Sequence, residues 1–235
     1  MTDHDDSRGN DSRRFDLAAL DMAGTTVQEH GAVYASLRGA VEDHLGRPIP
    51  DQVFARWTGT SKKEATAGLL RECGGSAPDD LVETVYGDFH GRLLRRYAET
   101  PPTPLPGVEG AVARLRASGV AVVLQTGYSR DIAESILKTM GWSVGEQLDG
   151  LVTSDEVAAS RPAPYLIFHA MELAGVTDVD RVCAVGDTPN DLGAGTNAGA
   201  GLVVGVLTGA HDATALGRHP HTHLLAGVAD LPILL

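Results

Sequence analysis

Five short apolar runs, rich in β-branched residues, constrain the fold of this chain more than any other feature. They are residues 15–20 (FDLAAL), 120–124 (VAVVL), 150–152, 182–185 (VCAV) and 202–206 (LVVGV). None alternates apolar with polar residues, so each reads as a strand buried on both faces. Helical periodicity fills the gaps between the later runs, over about 108–118, 130–140, 163–174 and 191–198. Strand and helix in alternation predict an α/β fold, a doubly wound, Rossmann-like parallel sheet with helices on both sides. Such a sheet binds ligands beyond the carboxyl ends of its strands.

Residues 30–102 break that rhythm. They contain no credible strand, only helical stretches over about 30–45, 50–56, 61–72 and 78–98. The segment closes on Pro101-Pro102-Thr103-Pro104-Leu105-Pro106-Gly107, which reads as a stiff return linker. An α-helical insertion after the first strand, above the ligand end of the sheet, reads as a cap. The expected division is a tail over 1–14, a core over 15–29 with 103–235, and a cap over 30–102. Hinges near 27–31 and 100–106 would let the cap close over the core.

The formal net charge of −12 argues against nucleic acid or an anionic membrane as a partner, but leaves a small anionic substrate open. No stretch is long and apolar enough to cross a bilayer. The first residues, MTDHDDSRGNDSRR, lack the apolar core of a signal peptide, so a cytoplasmic location is expected. On that reading the sequon at Asn10-Asp11-Ser12 is a chance match. Cys73 and Cys183 form no metal-binding or disulfide pattern and are expected to be buried thiols.

Four chemically pointed clusters fall at strand ends or helix entries. Asp21-Met22-Ala23-Gly24-Thr25-Thr26 follows the first strand and Thr126-Gly127-Tyr128 the second. Arg161-Pro162 precedes a later helix, and Gly186-Asp187-Thr188-Pro189-Asn190-Asp191 follows the fourth strand. A carboxylate attacking phosphorus must be screened from the anion it approaches. Mg²⁺ favours carboxylate and phosphoryl oxygens, an arginine can fork onto two oxygens, and hydroxyls with backbone N–H groups complete a cradle. In this order the clusters resemble the haloacid dehalogenase superfamily, over nearly the whole chain after residue 14. The resemblance implies Asp21 as nucleophile and Thr126 and Arg161 holding the phosphoryl group. It also implies Thr25, Gly127 and Tyr128 at the substrate, with Mg²⁺ on Asp21, Asp187, Asp191 and the Ala23 carbonyl.

Most phosphatases of that superfamily carry a second Asp two residues after the nucleophile, to protonate the leaving oxygen. Ala23 stands there and cannot move protons. Asp-x-Ala-Gly-Thr-Thr is similar to the phosphonoacetaldehyde hydrolases (phosphonatases), which cleave a carbon–phosphorus bond in phosphonate catabolism. In that family a cap lysine forms a Schiff base with the substrate aldehyde. Gly59-Thr60-Ser61-Lys62 matches its Gly-x-x-Lys, and Lys62 and Lys63 are two of only three lysines in the chain. Lys62 is the motif match and Lys63 the fallback. The strings Asp-Met-Ala-Gly-Thr-Thr, Arg-Pro-Ala-Pro and Gly-Asp-Thr-Pro-Asn-Asp resemble the phosphonatase-like subgroup most closely.

Two positions depart from the family: Ala65 replaces a His three residues after the lysine, and Gly31 and Ala32 stand where a Cys is usual. His30 is either a partial substitute or a surface residue at the hinge. The expected activity is therefore hydrolysis of phosphonoacetaldehyde or a related carbonyl phosphonate. A phosphate-monoester phosphatase resembling phosphoglycolate phosphatase, or a non-catalytic phospho-ligand binding protein, stays open. So does a homodimer through the cap's apolar face. Trp57 and Trp142 read as packing residues, with Trp57 near enough to Lys62 to line the cap. Arg130 reads as the start of a helix. Gly193-Ala194-Gly195 lies within a helix and is no dinucleotide fingerprint. His219, His221 and His223 read as an exposed edge or loop, although alternation along a strand would let them share a metal.

Overall fold

The computed structural model describes residues 15–235. The expected tail over 1–14, with its sequon, lies outside the described residues. The chain runs β1 (Leu17–Leu20), β2 (Val27–Gln28), α1 (Ala32–Leu45), α2 (Asp51–Ala55), α3 (Lys62–Gly74), α4 (Asp79–Glu99) and β3 (Thr103–Pro104). It continues through α5 (Val108–Ala117), β4 (Ala121–Thr126), α6 (Arg130–Met140), β5 (Gly150–Thr153), α7 (Tyr165–Ala174) and β6 (Val182–Gly186). Then come α8 (Pro189–Ala198), β7 (Leu202–Val206), α9 (Ala213–Leu216) and β8 (His223–Leu225).

The main sheet is six-stranded and parallel, in the order β5-β4-β1-β6-β7-β8. Successive side chains on a strand point to opposite faces. On β1, Leu17 and Ala19 accordingly meet α7 and α8, through Leu166, Ala170 and Ala194. Ala18 and Leu20 belong to the opposite core, with Val112 and Leu115 of α5 and Ile132 and Ile136 of α6. Each fully buried leucine contributes about 1.5–3 kcal/mol of transfer free energy, so both faces of β1 are tied down. Strand order reverses on either side of β1, and the crevice at such a switch point lies where β1 ends, at Asp21.

Helices α1, α3 and α4 pack on one another and, with α2, make up the chain between β2 and β3. Both connections back to the core meet in a short ribbon. Val27 pairs with Pro104 and Gln28 with Thr103, and the Leu105 N–H donates to the Thr26 carbonyl at 2.9 Å. The proline-rich return segment is thus partly strand. Of the two cysteines Cys183 is buried, but Cys73 is only half-buried near the end of α3, contrary to expectation. Among the described residues no helix is long and apolar enough to cross a membrane.

Candidate active site

Asp21 leaves β1 at the sheet's carboxyl edge, and Asp187 and Asp191 follow β6 around the start of α8. All three are buried, and one carboxylate oxygen from each lies within 4.8 Å of the others. Asp191 is locked by a capping box: its Oδ2 accepts from the Thr188 N–H at 3.0 Å and from the Thr188 hydroxyl. Asp187 Oδ2 accepts from the Ala210 N–H at 2.7 Å, and its Oδ1 accepts from the Thr25 hydroxyl at 3.3 Å.

Arg161 forks between two of these acids. One guanidinium nitrogen lies 2.7 Å from Asp21 Oδ1, and another pairs with Asp191 Oδ1. The first also donates to the Gln125 carbonyl at 3.2 Å. Burial opposes the guanidinium charge, but Asp191 and Asp21 outweigh it and hold the group charged above its ordinary range. Burial lifts Asp21 to about 6, Arg161 pulls it down and Asp191 pushes it up. Asp187 rises well above the ordinary carboxylate range, through burial first and then through Asp191 and Asp21. Three buried carboxylates against one guanidinium leave uncompensated negative charge among oxygen donors. That donor set fits a hard divalent cation such as Mg²⁺.

Across from these acids sits the start of α3. Lys62 is buried, and its amine donates to the Thr60 carbonyl at 2.7 Å. The amine stands 5.7 Å from the ring centres of both Tyr34 and Tyr128. Burial lowers the amine to about 8, Arg161 lowers it further, and Asp21, Asp191 and Glu29 pull it back up. The two ring faces also favour the ammonium form. Lys63 points away, exposed and paired with Glu83. Of the two lysines, only Lys62 enters the cavity that Asp21, Ala23, Thr126, Gly127, Tyr128 and Arg161 also line.

That cavity offers about 10 Å³ to the centre of a water-sized sphere, room for about one water. A larger opening of about 270 Å³ adjoins it, sharing Ala23 and Tyr34 and reaching Glu29, His30 and Asp187. Two glycines permit so close a fit. A Cβ at Gly127 would collide with the Thr60 carbonyl, and one at Gly59, where φ is 78°, with the Thr188 hydroxyl. Thr126 Oγ1 accepts from the Tyr128 N–H at 3.2 Å and faces the same cavity.

Residues 15–199 match a family model described as haloacid dehalogenase-like hydrolase. The chain belongs to the haloacid dehalogenase-like hydrolases. A phosphonoacetaldehyde hydrolase of Parabacteroides distasonis is 37% identical over 131 residues, 56% of this chain and 48% of that protein. A protein of the same description from Bacillus cereus is 40% identical over 132 residues, with the same two coverages. The matched stretch is thus about half the length of each relative. Among solved structures, a hydrolase from Pseudomonas syringae superposes with a TM-score of 0.80 at 23% identity, covering 92% of this chain and 95% of that one. A phosphonoacetaldehyde hydrolase-like protein from Oleispira antarctica gives 0.77 at 20% identity, covering 93% and 90%. Both likenesses show the fold.

Several polar residues of this haloacid dehalogenase-like hydrolase are not singled out by motif. Glu29 is buried, accepts from the Val33 and Gly31 N–H groups at 2.7 and 3.1 Å, and caps the start of α1. Burial raises it, while Val33, Gly31 and then Lys62 pull it back. Tyr34 accepts from the Gly59 N–H at 3.1 Å, and Tyr97 meets Tyr128 hydroxyl to hydroxyl at 3.2 Å. An acid just before a periodic helix is a readable start signal for Glu29; the tyrosines give none.

The remaining residues fall largely where the sequence places them. Trp57 does not line the site: it lies against Gly68 of α3 and donates to Glu72 at 3.1 Å. His30 is exposed with φ 55° and borders only the outer opening. Arg130 starts α6 as expected and is held by Glu156 and the Leu151 carbonyl. Trp142 is buried as expected. Only His223 of the three alternating histidines lies on a strand, and the sole acid or histidine cluster suited to a metal among the described residues is Asp21, Asp187 and Asp191.

An amine near 8 has a direct consequence. Only the neutral form of an amine attacks a carbonyl, so the reaction of Lys62 with a simple aldehyde probe should rise about tenfold per pH unit below 8 and level off above it. Rapid-quench trapping between pH 6 and 10 measures this; a rate still climbing at pH 10 would indicate an unperturbed lysine.

Proposed function

We propose that this hydrolase cleaves the carbon–phosphorus bond of phosphonoacetaldehyde or a related carbonyl phosphonate. One observation carries the reading: a buried amine with a lowered proton affinity, Lys62, shares a small cavity with the carboxylate Asp21 and the guanidinium Arg161. The names of its relatives point the same way. Breaking a carbon–phosphorus bond leaves an electron pair on carbon, which needs a sink. The Lys62 amine adds to the carbonyl and expels water, giving a protonated imine. Asp21 attacks phosphorus, the bond breaks, and its electrons pass into the imine to form an enamine. The enamine takes a proton and hydrolyses to the aldehyde and free lysine. Water cleaves the aspartyl phosphate.

In this reading Arg161 and Thr126 hold the phosphoryl oxygens, with Thr25, Gly127 and Tyr128 around the substrate. Asp21, Asp187, Asp191 and the Ala23 carbonyl would hold Mg²⁺, which when bound screens the anion from the nucleophile. Because the cavity holds about one water, the helices over residues 30–102 act as a cap that opens for substrate and closes for chemistry. Phosphate release measured across carbonyl phosphonates and common monoesters tests the reading. Turnover is expected with phosphonoacetaldehyde or a close relative; robust turnover of monoesters alone would contradict it.

Ala23 separates this reading from ordinary phosphatase activity. It borders both cavities, so an acid at this position would face the site. Ala23→Asp supplies the missing proton donor and should raise hydrolysis of a simple monoester by about 10²-fold. A parent enzyme already as fast on monoesters as this variant would mean that another residue provides the acid.

A further inference from the structure

Three core residues that face the site each have a chain neighbour bonded to one short segment of the helical insertion. That segment, residues 56–64, carries Gly59, Thr60, Ser61 and Lys62. Beside Thr126, the Gly127 carbonyl accepts from the Lys62 backbone N–H at 3.2 Å. Beside Arg161, the Ser160 N–H donates to Glu64 Oε1 at 3.2 Å. Beside Asp191, the Asn190 side-chain amide donates to the carbonyls of Thr58 at 2.7 Å and Arg56 at 3.2 Å.

Arg56 and Thr58 lie just past the end of α2, where carbonyls lack partners within their own helix. Asn190 supplies them from the second position of α8, one residue before the capping-box acid Asp191. The first turn of α8 and the segment bearing the lysine are therefore bonded to each other when the helices over 30–102 rest on the core. A lysine side chain has four rotatable bonds, so the place of its amine depends on where its backbone is held.

We infer that Asn190, assisted by Glu64, is a positioning residue for the Lys62 amine. The inference rests on the Schiff-base reading above. Asn190 acts through two donated hydrogen bonds, not through bulk. Glu64 is exposed and accepts a single bond, from the Ser160 N–H, so its share is smaller.

The test uses Asn190→Leu, which keeps the branched shape and removes both donors, and Asn190→Ala, which removes shape as well. Three quantities are measured: the rate of borohydride-trapped adduct on Lys62 with phosphonoacetaldehyde, the Mg²⁺-dependent affinity for inorganic phosphate, and the melting temperature. Both variants should lose about 10- to 100-fold in adduct rate with phosphate affinity within about twofold of the parent. Parent-like adduct formation in Asn190→Leu would overturn the inference, because shape alone would then suffice. A parallel fall in adduct rate and phosphate affinity would overturn it too, marking a general role in folding the site. If the parent enzyme itself forms no adduct, the Schiff-base reading fails first and takes this inference with it.

Discussion

Lys62→Met is expected to lower phosphate release from phosphonoacetaldehyde by at least about 10³-fold while leaving the protein folded. Methionine fills much of the space between Tyr34 and Tyr128 but has no nucleophile and no way to form an electron sink. The same change should not destabilise the protein near neutral pH. The folded-state value of Lys62, about 8, lies below its ordinary 10.5, so the fold disfavours the ammonium. Parent stability is therefore lowest below pH 8 and rises between about 8 and 10.5, a dependence the variant lacks. Activity lost with stability kept marks a residue retained for chemistry. Lys63→Met should leave turnover unchanged, since Lys63 is exposed and paired with Glu83. Turnover of Lys62→Met within tenfold of the parent would contradict its role.

Arg161→Leu is expected to cost about 3–5 kcal/mol of stability, because it strands Asp21 and Asp191 without their buried counter-charge. Its pH dependence has a definite sign. Asp21 already titrates near 6, above its ordinary value, and loses a lowering influence when Arg161 goes. A carboxylate whose folded value is raised costs stability as pH climbs through that value. The deficit of the variant should therefore be largest at pH 8 and shrink towards pH 5. Saturating Mg²⁺ should restore part of it at pH 8, by binding the folded state alone. Urea unfolding at both pH values, with and without Mg²⁺, measures this. A loss below about 1 kcal/mol at pH 8 would mean the acids are less buried than described.

The central strands are legible in sequence because burial on both faces leaves no room for polar alternation. Leu17–Leu20, Ala121–Thr126 and Val182–Gly186 all carry that mark. β8 does not. His223–Leu225 lies at the sheet edge, is half-buried and follows a stretch rich in histidine and proline, so one-sided pairing with β7 leaves little signal. The two-residue strands β2 and β3 are too short for any periodicity.

The convergence of Asp21, Thr126, Arg161, Asp187 and Asp191 is legible for a topological reason: parallel strands deliver their carboxyl ends to one edge. Tyr34, Tyr97 and Asn190 are not legible as neighbours of the lysine, and Glu29 is legible only as a helix start. Their relation to the lysine depends on how the helices over 30–102 settle on the core, across contacts such as Asn190 to Thr58, which no local pattern encodes. The exposure of Cys73 and the stacking of Trp57 on Gly68 have the same origin in tertiary packing.

The central claim is that the Lys62 nitrogen bonds covalently to the carbonyl carbon of the substrate. Sodium borohydride added during turnover of phosphonoacetaldehyde, followed by peptide mass mapping, tests it most directly. The expected result is a reduced secondary-amine adduct on Lys62, loss of activity in proportion to labelling, and no label on Lys63 or Lys138. Phosphate release from phosphonoacetaldehyde at the parent rate, with no adduct on Lys62, would contradict it.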